Sequence, residues 1–168
     1  MTVRDLRRFE SSLDAAGVAA TRVDAADVAD ALDRLVETPA VGVPLGIDGV
    51  SLDETVVDLP PTPRLLKTAR TGVTPVAAGV VEHGTFVLRS DADGTEPVSL
   101  YPPTHVGVLR ASDLHADFTA AFDRLDGTLA EGGSAILATG ASATADMGEL
   151  VHGVHGPRTV HAVIVEDR

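Results

Sequence analysis

The chain has 168 residues, 44% of them hydrophobic, and a formal net charge of -12. That length fits one domain over residues 1–168, burying roughly two-thirds of the unfolded surface. With no cysteine there is no disulfide framework, thiolate nucleophile or thiolate-held zinc or iron-sulfur cluster. A single lysine, Lys67, among many aspartates excludes the basic footprint of a nucleic-acid or anionic-membrane binder, and the retention of arginine points to an acidic, halophilic protein. No run approaches the roughly 18 apolar residues of a membrane span and no apolar signal segment opens the chain, so the expected location is cytoplasmic.

Two N-terminal helices are expected within residues 1–37. Thr2 and Asp5 form a capping pair for a stripe of Leu6, Phe9, Leu13 and Ala16, which Gly17 ends. Asp24 and Asp27 open a second, with Val28, Leu32, Leu35 and Val36 on its apolar side. The alternation of Val41, Val43 and Leu45, and the run Thr55 to Leu59, then read as short strands. Thr62 and Pro63 are an N-cap and first-turn pair for a helix through Leu65, Leu66 and Ala69.

Residues 70–168 read as an α/β core. Val73 to Ser90 predicts a strand pair joined by Glu82-His83-Gly84, and Val106 to Leu109 a buried strand. Ser112 is placed to cap a helix carrying Leu114, Phe118, Ala121, Phe122, Leu125 and Leu129 on one side. Ser134 to Ala138 predicts a strand running into Gly140, a Ser/Thr/Asp cluster that opens a short helix, and glycines at 153 and 156 that close it. A last strand over Thr159 to Val165 would complete a β-α-β unit. The interleaving of helices and strands predicts a three-layer α/β/α fold with a mixed sheet.

Neither Gly-x-Gly-x-x-Gly nor Gly-Lys-Ser/Thr is present, which excludes standard dinucleotide and Walker-type binding. Gly140, Ser142, Thr144 and Asp146 present amides and hydroxyls suited to an anion, or serve only to cap a helix. His155, between glycines and ahead of Pro157, is a candidate acid-base or binding group, or a ring that fixes its own turn. Glu82 is a candidate base or nucleophilic carboxylate, or a tie for its turn, and His105 after Pro102-Pro103 lines a pocket or sits at the core edge. Glu149, His152 and His155 do not suit a metal: on a continuous helix the first and last point about 120° apart.

In order, the segments Glu82-x-Gly84-Thr85, Ser99-Leu100-Tyr101-Pro102-Pro103-Thr104-His105-Val106, Gly140-x-Ser142-x-Thr144-Ala145-Asp146 and Gly153-Val154-His155-Gly156-Pro157 resemble the LUD domain of the lactate utilization protein C (LutC/YkgG) family. The resemblance implies a fold similar to the NagB/RpiA/CoA-transferase group. It also implies an accessory role in 2-hydroxy acid (lactate) oxidation, beside iron-sulfur partner proteins and with no cofactor in this chain. As motif positions, Glu82 and His155 carry over as catalytic candidates. Gly84, Thr85, His105, Gly140, Ser142, Thr144, Asp146 and Gly156 carry over as binding candidates for a small organic acid or phosphorylated ligand. The alternatives from other classes are a stand-alone enzyme or binding protein of that fold, and a scaffold. The loop departs from the family's Gly-Pro-Ser-Arg-Thr-Ala-Asp by having Ala141 and Ala143, so an arginine is missing, and Arg89, Arg110 and Arg158 are candidates to replace its charge.

Overall fold

In the computed structural model, residues 2–130, 132–141, 143–146, 149–152 and 155–168 are described. The elements run α1 (Val3–Ala15), β1 (Ala19–Val23), α2 (Val28–Leu35), β2 (Ala40–Gly42), β3 (Val57–Asp58), α3 (Pro63–Thr68), β4 (Thr71–Pro75), β5 (Ala78–Val80) and β6 (Thr85–Arg89). They continue with α4 (Thr95–Leu100), β7 (Thr104–Arg110), β8 (Leu114–His115), α5 (Phe118–Ala130), β9 (Ala135–Thr139), β10 (Ala143–Asp146), β11 (Glu149–His152) and β12 (Thr159–Val165).

Six strands form a parallel sheet in the order β1-β12-β7-β4-β2-β3. Alternation along its central strands sends the two sets of side chains to opposite faces. Val106, Val108, Val163 and Val165 pack with Val28 and Leu32 of α2, while Leu109, Val160, Ala162 and Ile164 pack with Leu6, Phe9 and Leu13 of α1. Helices therefore cover both faces, as the interleaved pattern predicts. The α1 face also carries a smaller mixed sheet, β8-β5-β6-β9, whose Phe86 and Leu88 join that core. Its far side, Ala78, Val80 and Val87, is covered by Ala121 and Leu125 of α5. The antiparallel pairing expected from the sequence thus belongs to this second sheet, and the main sheet is wholly parallel.

The first helix begins with the expected capping box: the Asp5 amide donates to Thr2 Oγ1 at 3.3 Å and the Thr2 amide donates to Asp5 Oδ2 at 2.9 Å. The backbone bond from Thr2 first, and its side-chain bond second, hold the Asp5 carboxyl below its ordinary range. Thr62 caps α3 by accepting from the Leu65 amide, with Pro63 in the first turn.

The structure differs from these expectations, or adds to them, at several places. Between the first two helices lies β1, an edge strand with a largely exposed Ala-Ala-Thr-Arg-Val sequence that carries little apolar signal. Val73 belongs to the parallel sheet, so the hairpin is β5 with β6 over 78–89. Residues 95–100 are helical, because Asp91 captures the Gly94 and Thr95 amides at 3.0 Å each and Thr95 Oγ1 at 2.6 Å. Asp117, not Ser112, caps α5 by accepting from the Ala120 amide at 2.9 Å, and Leu114 lies in β8 ahead of that helix. Finally, the helix expected after Gly140 is replaced by an antiparallel pair, β10 with β11, and β9 joins β6 rather than a β-α-β unit. The register sets β-branched Thr144 opposite Val151, a pattern that suits a ladder better than a helix.

Layer spacing rests on glycine. A Cβ on Gly72 of β4 would lie 2.0 Å from the Val98 carbonyl oxygen of α4, and one on Gly107 of β7 would lie 2.8 Å from the Phe86 ring. Between the same two strands, Thr74 Oγ1 and His105 Nε2 share a hydrogen bond of 2.9 Å. His105 is 1% exposed, its ring meets Phe86 edge-on at 6.3 Å, and burial lowers its pKa from 6.5 to about 4.

Two predictions follow from this packing. Gly72→Ala drives a methyl group into backbone that cannot rotate away, and should destabilise by about 3 kcal/mol or prevent folding, read by urea unfolding. His105 takes up its proton near pH 6.5 when unfolded and near 4 when folded, so the unfolded state holds more protons between those values. Stability is unaffected by this group above about pH 6.5 and falls as pH drops through that window, the loss reaching roughly 3 kcal/mol below about 4. His161 shifts in the same direction by desolvation, so the test is a difference: His105→Gln should flatten the stability profile by up to one proton relative to the native chain.

Candidate functional site

Two concave sites lie at opposite ends of the parallel sheet. At the amino end, a cavity of about 240 Å3 is lined by residues of β6, α4, β7, β9 and the segment entering β12. His105, Gly140, His155 and Gly156 all reach it, so four of the positions singled out in the sequence come together. Most of the remaining lining is apolar, including Leu88, Ile136, Ala138 and Val160. His105 enters as a neutral ring already engaged with Thr74, while His155 is exposed.

The other sequence candidates divide. Thr85 is fully buried and its Oγ1 lies 2.6 Å from Oγ1 of Thr139, a lining residue, so it stands behind the cavity wall. Glu82 does not join His105 and His155: it is exposed on the β5–β6 turn, its amide donates to the Ala116 carbonyl at 3.2 Å, and its own carbonyl accepts from Ser12 Oγ at 3.3 Å. Gly84 has a positive φ of 63° beside the end of α1, where a Cβ would lie 2.7 Å from the Ser12 backbone. Gly140, with φ 73°, meets the Ala16 carbonyl oxygen in the same way at 2.4 Å. These two motif glycines therefore seat the C-terminal turn of the first helix. Thr144 and Asp146 fall on β10, which is no helix N-terminus, and Ser142 lies outside the described residues.

At the carboxyl end is a second crevice of about 350 Å3. Chain direction explains its position. From β2 the path moves outward to β3, whereas from β4 it moves the opposite way to β7 and β12, so the loops leaving β2 and β4 part company above the sheet. Such switch points are where open α/β sheets hold ligands. The walls are Pro44, Leu45 and Ile47 on one side and Pro75, Val76 and Ala77 on the other.

Arg89 and Arg110, named in the sequence only as candidates for compensating charge, both line this crevice with Asp91 and Asp113. Arg110 Nε donates to Asp113 Oδ2 at 2.6 Å, and the Asp113 side chain is only 9% exposed. A buried carboxylate thus fixes the direction of a half-exposed guanidinium. Sequence reading missed Asp91, Asp113 and the Pro44–Ile47 wall because the crevice depends on strand order, which no local pattern carries. The one available signal was the placement of Arg110 at the end of an apolar run.

Over residues 62–165 the chain matches the LUD domain. A protein of Deinococcus radiodurans named lactate utilization protein C is 32% identical over 95% of this chain and 79% of its own length. Proteins of the same name from Bacillus licheniformis and Bacillus subtilis are 37% and 34% identical over 60% of this chain, a segment that is 44% of each relative. The chain thus spans less than half the length of those Bacillus relatives. Among solved structures, the crystal structure of a DUF162 family protein from Deinococcus radiodurans superposes with a TM-score of 0.74 at 26% identity, over 96% of both chains. The motifs read in the sequence and these matches agree: the chain belongs to the LUD domain family.

Proposed function

We propose that this protein serves in lactate utilization as an accessory subunit of a system that oxidises a 2-hydroxy acid to a 2-oxo acid. The observation that carries the reading is the match along 95% of this chain to a relative named lactate utilization protein C. The oxidation removes two electrons and two protons as the carbinol C–H and O–H become a carbonyl. With no cysteine in the chain, thiolate-bound clusters able to accept those electrons belong to iron-sulfur partner proteins. This subunit's own contribution is to bind and orient: histidines at one end of the sheet, arginines at the other, and a rigid parallel sheet between them.

The test is capture of the tagged protein from its native host at working salt, together with deletion of its gene. The expected result is recovery of cysteine-rich iron-sulfur proteins whose complex reduces a dye when lactate is added, and loss of growth on lactate in the deletion strain. A solitary protein together with unimpaired growth on lactate would overturn the reading.

A further inference from the structure

We propose that the crevice at the carboxyl ends of β2, β4 and β7 is a binding site for a small monocarboxylate, with Arg110 as its anchor. The first support is geometric. Asp113 engages the guanidinium of Arg110 through Nε, and among the described residues both Nη groups have no hydrogen-bond partner. That leaves a planar fork, held in one orientation by a buried carboxylate, which is the arrangement that takes a carboxylate with directional specificity.

A second support is the opposite wall. Gly46 has φ 62°, and among the described residues the amides of Leu45, Gly46 and Ile47 donate to no carbonyl and no side chain. Three consecutive amides in a lining loop are donors for an anion that Arg110 draws in.

Charge and size select the ligand. Among the described lining residues Arg89 and Arg110 stand against Asp91 and Asp113, so their formal charges cancel, which suits a monoanion better than a phosphate dianion. The Asp91 carboxylate is turned onto the Gly94 and Thr95 amides and Thr95 Oγ1, which engage both its oxygens. A volume of about 350 Å3 is at the low end of ligand pockets, which run roughly from 300 to 1,000 Å3, so it excludes a dinucleotide and admits a short organic acid. Leu45, Ile47, Pro75 and Val76 offer apolar surface to its carbon chain.

The assignment is independent of the accessory role, because it concerns the purified chain alone. Pyruvate, L-lactate and inorganic phosphate are titrated separately at constant ionic strength, and binding is read by calorimetry and by the shift in melting temperature. Saturable binding of pyruvate or L-lactate is expected, weakened at least tenfold by Arg110→Gln and by Arg110→Lys, which keeps the charge and loses the fork. Arg70→Gln, an exposed arginine that lines neither cavity, should leave the affinity within twofold. Arg110→Gln removes the ion pair of the buried Asp113 with Arg110 and can lower stability, so Arg89→Gln, at an exposed position, is the second variant and should also weaken binding. The proposal is overturned if neither acid saturates, if phosphate binds more tightly than both, or if affinity falls with Arg70→Gln and not with the Arg110 and Arg89 variants.

Discussion

Close approach between layers is the constraint on which the rest of this structure depends. Gly72, Gly79 and Gly107 are among the positions where the parallel sheet, the small mixed sheet and the helices come nearer than a Cβ would permit. Gly79 alone would place a methyl group 2.5 Å from Leu114 and 3.1 Å from both Leu109 and Phe9, side chains drawn from three different elements. With those contacts made, Phe86 and Leu88 reach the core of the main sheet and Leu6, Phe9 and Leu13 of α1 complete it. Dense packing of this kind resists small volume changes, and it gives the two ends of the sheet a fixed frame.

The same constraint bears on the sequence motifs. Glu82-x-Gly84-Thr85 and the segment beginning at Gly140 invite a chemical reading because glycines and hydroxyls cluster there. In the folded chain Gly84 and Gly140 converge on one feature, the last turn of α1, which approaches both through backbone atoms. Thr85 faces Thr139 across β6 and β9, so its hydroxyl is engaged within the mixed sheet. A family-wide spacing can therefore record how a helix is seated as readily as how a ligand is held. His105 and His155 are different: they reach one cavity from β7 and from the segment entering β12, far apart in sequence.

What was legible in the sequence follows the range of the forces involved. Caps at Thr2 and Thr62, the stop at Gly17 and the terminal strand over 159–165 depend on near neighbours, and all could be read directly. The edge strand β1 could not, because its five residues bury little and owe their conformation to pairing with β12. The stretch after Gly140 was misread for a related reason. Its Ser, Thr and Asp residues have equal local claims as a helix cap or as a strand, and the pairing of β10 with β11 decides between them. Ser112 lost its expected role to Asp117 in the same way, once Leu114 and His115 had paired with β5.

The two ends of the sheet differ in what they can offer a ligand. At the amino end, ring nitrogens are set in a mainly apolar wall, and the His105 ring is held neutral by burial and already bonded to Thr74. That environment disfavours a charged guest, since no fixed positive group among the described lining residues would offset its desolvation. At the carboxyl end the lining includes two guanidinium groups in a chain whose formal charge is -12. Over most of such a surface an approaching anion is repelled. A crevice in which the local charge rises to neutrality, with one guanidinium fixed by Asp113 and donors spread along a facing loop, is then selective by contrast with its surroundings. The acidity of the chain as a whole makes the position of Arg110, at the end of a central strand and beside the point where chain direction reverses, more discriminating than the same arginine would be on a neutral surface.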